Sequence, residues 1–247
     1  LAELASSDVY LNVSYVLRRA DGILPAGSRV SYDQICINEA GLESLSDRSG
    51  LPEYKDDGSH QIFSGTMTHE GVLADRTSQW KAVFDVRKGA LESYELDGKQ
   101  LMKSALLPCF ARAATENDCG AGQQNRTAMW RDVRFRTVKF EVNQTDSCYR
   151  VDLAFAPIGE AAQVFMSYEI YADGSIVAAE QLKDAGKLSE AEHMHRFGME
   201  FAMPGEFSNI EYFGYGPHEN YCDRYSSAVM GRFEQRVEDQ YHYGYVR

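Results

Sequence analysis

"VFMSYEIYADGSIVAAEQL" (residues 164–182) decides the fold. Val164, Met166, Tyr168 and Ile170 alternate with less apolar neighbours, and a second alternating run follows Asp173-Gly174. Period two is the spacing of a strand with one face towards a core. Asp-Gly supplies the backbone freedom that a tight hairpin turn needs. The stretch reads as an antiparallel hairpin.

The same signature recurs on both sides of it. Trp80, Ala82, Phe84 and Val86 alternate, Lys88-Gly89 turns the chain, "ALESYEL" returns, and Asp97-Gly98 turns it again. "VRFRTVKFEV" (133–142) and "YRVDLAFA" (149–156) alternate across the polar "NQTDS". "RFGMEFAM" sets Phe197, Met199, Phe201 and Met203 on one face of a further strand. "KDAGKLSEAEHMH" (183–195) suits a short helix or a connecting loop. Helical periodicity is scarce elsewhere. Many short strands joined by turn dipeptides predict an all-β sandwich or barrel.

At the N-terminal side, Val9, Leu11, Val13, Tyr15 and Leu17 predict one half-buried strand, and Val30, Tyr32, Ile35 and Ile37 a second, with Asp21-Gly22 turning between them. Residues 46–75 include "SDRSGLPEYKDDGSH", rich in turn formers and poor in apolar residues, and read as a linker or long exposed loop. The expected organisation is therefore a sandwich remnant over 1–45, the linker, and a large β domain over 76–247. The first part is too small to bury a face alone, and "YHYGYVR" at 241–247 runs strand-like to the last residue. A fragment of a longer polypeptide is expected.

Composition narrows the function classes. The 247 residues carry a formal charge of −12, with 44% hydrophobic and 25% charged residues. A phosphate-binding surface needs a basic footprint, so nucleic acid is excluded as the expected partner. No apolar run approaches membrane-spanning length, so no membrane is expected either. Cys36, Cys109, Cys119, Cys148 and Cys222 form no C-x-x-C pair. They read as reduced thiols of a reducing compartment, the cytoplasm, with the periplasm as the alternative. His193 and His195, on an expected strand, make a poor metal pair, and no metal is expected here. His60, His69 and His242 read as surface or packing residues. G-x-S-x-G nucleophile motifs are missing.

Two stretches hold groups that do chemistry. In "NIEYFGYGPHENYCDRYSSA" (209–228), Gly214, Gly216 and Pro217 constrain a turn that aims His218, Glu219, Asn220, Tyr221, Asp223 and Arg224. Glu219 and Asp223 read either as an acid/base pair of carboxylates or as partners of an arginine that lock a corner of the fold. In "FARAATENDCGAGQQNRTAMW" (110–130), Gly120 and Gly122 loosen an amide-rich loop that ends at Trp130. Amides can read sugar hydroxyls while an aromatic ring covers the apolar face of a sugar. The alternative is a solvated loop with Trp130 packed as an anchor.

Together these motifs resemble the C-terminal part of the large, multi-domain, lacZ-type β-galactosidases of glycoside hydrolase family 2. That family carries F-x-R-A-P-x-D-N-D and later G-x-G-P-x-E-N-Y-x-D-R. Gly214, Gly216, Pro217, Glu219, Asn220, Tyr221, Asp223 and Arg224 fit the second motif. Arg112, Asn117 and Asp118 fit the first, in which Ala114 stands for the usual Pro and Glu116 for the usual first Asp. The resemblance covers roughly 75–247 and implies most of a large antiparallel, galactose-mutarotase-like supersandwich, truncated at its C-terminal end. More weakly, residues 1–45 resemble the end of a preceding immunoglobulin-like sandwich.

The resemblance also implies a role. In the family, two glutamates of an upstream barrel hydrolyse terminal β-D-galactosides with retention. Mg²⁺ and Na⁺ serve the full-length enzyme and are bound mainly by other domains. This region would hold no catalytic residue and no cofactor, and would shape one wall of the active-site mouth. Asp118, Cys119, Gly120 and Trp130 fall on the substrate-proximal loop, and Gly216, Pro217, Glu219, Asn220, Asp223 and Arg224 form a structural corner lock. Expected partners are the other domains of the parent chain, its galactoside substrate and a second copy of the chain. Two further readings stand beside it. One is a mutarotase-like epimerase using His218, or His193 and His195 with a glutamate. The other is a stand-alone carbohydrate-binding or assembly module.

Overall fold

A computed structural model of the chain describes residues 7–40, 50–69, 76–218, 220 and 224–240. The hairpin at 164–182 forms as its pattern demands. Strand β11 (Ala162–Tyr171) buries Val164, Met166, Tyr168 and Ile170, and pairs antiparallel with β12 (Ile176–Asp184), Ile170 opposite Ile176. The Asp173 carboxylate accepts the Ser175 amide at 2.9 Å and Gly174 takes φ +84°. With β9 (Thr137–Gln144) and β10 (Cys148–Phe155), these strands make an antiparallel sheet in the order β12-β11-β10-β9.

A second antiparallel sheet is a meander in chain order. It consists of β3 (Glu53–Asp56), β4 (His60–His69), β5 (Arg76–Asp85), β6 (Ala90–Leu96) and β7 (Lys99–Gln100). Two of its strands lie within 46–75, so that segment is not the expected linker along its length. The reason is visible on β4. Of its alternate inward positions Gln61, Phe63, Gly65 and Met67, only Phe63 and Met67 are large apolar residues. Gly65 leaves room for a neighbour: a methyl group there would meet the Trp80 indole nitrogen at 3.0 Å. A strand that accommodates a ring with glycine shows little hydrophobic alternation.

Rings bring the two sheets together. Phe84 of β5 meets Phe63 edge-on at 5.7 Å and Tyr168 of β11 at 5.0 Å. Aromatic pairs favour such tilted geometries over a face-to-face sandwich. The Trp80 indole donates to the Ala172 carbonyl at 3.2 Å, and the Tyr94 hydroxyl to the Gly174 carbonyl at 2.8 Å. Any side chain at Gly174 would strike Tyr94 and Trp80 within 3 Å, which holds that turn to glycine. The fold is all-β, as the alternation predicts, and two sheets packed by their inner faces are a sandwich.

Two expected strands come out differently. "RFGMEFAM" forms only β13 (Gly198–Glu200), because its partner β8 (Leu107–Cys109) offers three residues. Beyond the ladder the chain is tied singly, by the Lys103 amide on the Ala202 carbonyl at 2.7 Å and the Ala202 amide on Ser104 Oγ at 2.7 Å. Phe197, Phe201 and Met203 remain about half exposed. His193 and His195 sit on no strand; after β12 ends at Asp184, the connection over 185–195 is a loop with a single 3₁₀ turn at Leu188–Glu190.

Strands β1 (Val9–Val16) and β2 (Arg29–Asn38) pair with each other, as do β14 (Asn209–Gly216) and β15 (Val229–Arg236). These four strands form one compact unit and the strands between them a second. The C-terminal hairpin, expected within a 76–247 domain, thus groups with the N-terminal one. The Gln34 carboxamide joins them: it accepts the Met230 amide at 2.7 Å and donates to the Met230 carbonyl at 2.8 Å. Tyr32 donates to the Ser227 carbonyl at 2.6 Å. On the other face Leu11, Tyr15, Ile35 and Ile37 are exposed. Residues 241–247, expected to be strand-like, lie outside the described residues. Among the described residues no helix is long and apolar enough to cross a membrane.

One residue breaks the inward pattern of β12. Ile176, Ala178 and Leu182 pack on the core, and Glu180 alternates with them. Both Glu180 carboxyl oxygens are buried with no hydrogen-bond partner among the described residues. Burial raises this carboxyl from 4.5 to about 7. Between those values the folded chain keeps a proton that the unfolded chain releases, so stability falls as pH rises from 4.5 to 7 and is level above. Glu180→Gln removes the ionisation while keeping the shape. Its melting temperature should exceed that of the parent chain by roughly 2–4 °C at pH 8 and match it near pH 4. An offset of the same size at both pH values would show that Glu180 does not carry the dependence.

Candidate functional site

The stretch 110–131 folds around one carboxylate. Thr115 is extended and caps helix α1 (Glu116–Gly120). Asp118 Oδ2 accepts from the Thr115 amide at 2.8 Å, from its hydroxyl at 2.9 Å and from Arg112 Nη1 at 2.6 Å, while Oδ1 meets Nη2 at 3.4 Å. This is a capping box closed by aspartate and clamped by a guanidinium fork. Burial acts to raise the Asp118 carboxyl, but the hydrogen bonds from Arg112 and Thr115 outweigh it and bring it down to about 2. Arg112 Nη1 also donates to the Ala113 carbonyl at 3.0 Å, which fixes the turn into the helix.

After Gly122, at φ +67°, the chain continues as α2 (Gln123–Arg126) and α3 (Ala128–Arg131). The expected loose loop is therefore a run of three helical turns. Trp130 is an anchor and not an exposed platform: it is 3% exposed, with its indole N–H on the Glu192 carbonyl at 2.6 Å and its ring edge-on to Phe110 at 5.9 Å. Glu192 also receives the Arg126 fork at 2.8 and 2.9 Å. Phe110 in turn stacks on Phe197 and meets Phe135, each at 6.0 Å. The aromatic cluster ties the helical turns to the 192–197 loop.

Between these elements lies a cavity of about 300 Å³, walled by the 110–114 backbone, Gln124, Thr127, Trp130, Arg131 and His195. Gln124 Oε1 is buried there and has no hydrogen-bond partner among the described residues. Arg131 Nη1 binds the Gln124 carbonyl at 2.7 Å, and its other nitrogens pair with Asp132. The walls thus offer guanidinium and imidazole groups, a glutamine side chain and ring surface. No carboxylate is among the described lining residues. Such a site can hold a hydroxylated ligand by hydrogen bonds, and its described lining residues bring no carboxylate pair.

Of the four residues expected beside a substrate, only Trp130 reaches this cavity, as part of its wall. Asp118 is 8% exposed and builds the turn, while Cys119 and Gly120 are exposed on α1. Gln124, Arg131 and His195 share no local pattern in the sequence, since the first and last lie 71 positions apart.

The second motif ends β14. Gly216 is buried and its bond to Pro217 is cis. The Pro217 carbonyl accepts from the Tyr212 hydroxyl at 3.4 Å and from the Gln235 amide. The Arg224 carbonyl accepts the Ser227 amide at 3.0 Å and hydroxyl at 2.8 Å. His218 and Asn220 are exposed. Glu219 and Asp223, the carboxylates of the expected lock, lie outside the described residues, as do Tyr221 and Cys222.

Fold and cavity together define a β-sandwich protein with a small, mainly apolar cleft at the edge of its core. The chain belongs to the β-galactosidase small-chain family, whose model, "Beta galactosidase small chain", matches residues 76–247. A β-galactosidase of Priestia megaterium is 27% identical over 241 residues, 96% of this chain and 22% of that protein. One of Streptococcus thermophilus is 26% identical over 244 residues, again 96% of this chain and 22% of the relative. One of Vibrio cholerae is 23% identical over 270 aligned positions, 100% of this chain and 24% of the relative. The chain spans less than a quarter of the length of these relatives.

Asp118→Asn leaves the Arg112 and Thr115 donors with a poorer acceptor, and should lower stability at pH 7 by about 1–3 kcal/mol. The native carboxylate's contribution is complete above its ordinary value of 3.8 and is lost as pH falls through about 2. Urea midpoints should therefore separate the two chains at pH 7 and converge towards pH 2. Midpoints that coincide at pH 7 would remove Asp118 from the keystone role.

Proposed function

We propose that this chain is the C-terminal, non-catalytic region of a β-galactosidase, and that residues 110–131 form one wall of the mouth of the parent enzyme's active site. The observation that carries the proposal is the cavity beside Arg112. It lies on the segment that resembles the family's F-x-R-A-P-x-D-N-D element, and its groups suit hydroxyl recognition without chemistry. Retaining hydrolysis needs two carboxylates about 5–5.5 Å apart, and the described walls supply none. The parent chain's other domains bring those groups. The exposed Leu11, Tyr15, Ile35 and Ile37 face supports the same reading, since an apolar strand face of that kind is normally covered. The parent's remaining polypeptide provides the cover.

Nitrophenyl-β-galactoside hydrolysis by the purified 247-residue chain, with Mg²⁺ and Na⁺ present, should equal the buffer rate. Galactose should bind weakly, in the millimolar range, and Gln124→Leu should weaken it about fivefold, the worth of one hydrogen bond. Turnover that survives repurification would make the chain an enzyme in its own right. Galactose affinity untouched by Gln124→Leu would move the sugar contact away from this cavity.

A further inference from the structure

A second cluster lies on the five-stranded sheet, where three neighbouring strands each bring one ligand-type side chain. His60 opens β4 and stands opposite Asp85 at the end of β5. On β6, Leu91 pairs with Phe84 and Ser93 with Val83, so Glu92 is the extra residue of a bulge. Bulges re-aim a side chain that a regular ladder would direct elsewhere. The donor atoms of His60, Asp85 and Glu92 all fall within 4.8 Å of one another. His60 Nε2 is 3.7 Å from Glu92 Oε2.

Each donor is already oriented. Asp57 Oδ1 accepts the amides of Ser59 at 3.0 Å and His60 at 2.7 Å, and Oδ2 lies 3.3 Å from His60 Nδ1. A carboxylate beside Nδ1 fixes the orientation of the ring and directs Nε2 towards Glu92. Metal-bound histidines are oriented in the same way by an outer carboxylate. Asp85 Oδ1 is occupied by the amides of Arg87 and Lys88, both at 2.8 Å, which leaves Oδ2 for the cluster. There Lys88 Nζ sits 3.5 Å from Asp85 Oδ2 and bonds to Glu92. One ammonium thus stands between two carboxylates.

We propose that His60, Asp85 and Glu92 form a binding site for a divalent first-row transition ion, zinc above all, which displaces the Lys88 ammonium and is supported by Asp57 from behind His60. One imidazole with two carboxylates is a zinc-type donor set, whereas magnesium and calcium favour all-oxygen surroundings. Bonds of about 2.0–2.2 Å place neighbouring donors some 3–3.5 Å apart, a small side-chain movement from the spacing here. The bound ion clips the ends of β4, β5 and β6 together and stabilises the chain by mass action. His60 reads from the sequence as a surface or packing residue, and the site is independent of the sugar-binding proposal.

The test is a calorimetric titration of the 247-residue chain with Zn²⁺, alongside the visible absorption of its Co²⁺ form. Circular dichroism checks the folding of each variant, and the altered side chains are all partly exposed. His60→Ala should lose at least tenfold in affinity together with the Co²⁺ band. Asp57→Asn should lose about tenfold and keep the band. Lys88→Met should gain at least fivefold, because the competing ammonium is gone. Mg²⁺ should not compete. Binding unaffected by His60→Ala, or weakened by Lys88→Met, overturns the proposal, as does failure of the parent chain to bind Zn²⁺.

Discussion

The Trp80 indole, held by a carbonyl of the opposite sheet, is the contact on which the larger unit turns. Its ring occupies the space that Gly65 leaves on β4, and it lies parallel to Tyr94 at 6.2 Å. Both side chains then reach the 172–174 turn of the β11–β12 hairpin. A tight turn at one end of one sheet is thereby pinned beneath two rings of the other. Phe63, Phe84 and Tyr168 continue the contact inwards. Close-packed rings tolerate little movement, so the pairing of the two sheets is set where the chain reverses.

The cavity depends on this core at one remove. Phe155 of β10 meets Phe135 at 5.0 Å, Phe135 meets Phe110, and Phe110 supports Trp130. From Trp130 outwards the links become polar. Glu192 takes the indole N–H through its carbonyl and the Arg126 fork through its carboxylate, so one residue fixes two helical turns. On the opposite side Asp118 gathers Arg112 and Thr115. Neither carboxylate faces the cavity. Each holds the backbone that shapes it.

The legibility of the sequence follows the same physics. β5 could be read because Trp80, Ala82 and Phe84 place apolar groups at every inward position. β4 could not, since Gln61 and Gly65 take two of its inward positions beside Phe63 and Met67. "RFGMEFAM" alternated well, yet a ladder also needs a partner, and β8 is three residues long. The turns at 116–131 span four or five residues each, too few for a 3.6-residue period to show. Their one local signal was Thr115-x-x-Asp118, a capping-box spacing. The cavity joins Gln124 to His195 through tertiary packing alone, and the His60 cluster depends on a bulge. Strand patterns are local, whereas these sites are not.

Glu180 has a further effect through its place on β12, the outermost of the described strands of its sheet. The free edge of such a strand is a template for a strand from another molecule, and a charge directed inwards makes that continuation unfavourable. Above neutrality the carboxylate guards the rim. In mild acid it becomes an uncharged group among Ile176, Ala178 and Leu182, and the rim loses its deterrent. The acidity that favours the individual fold thus also takes the charge away from this edge.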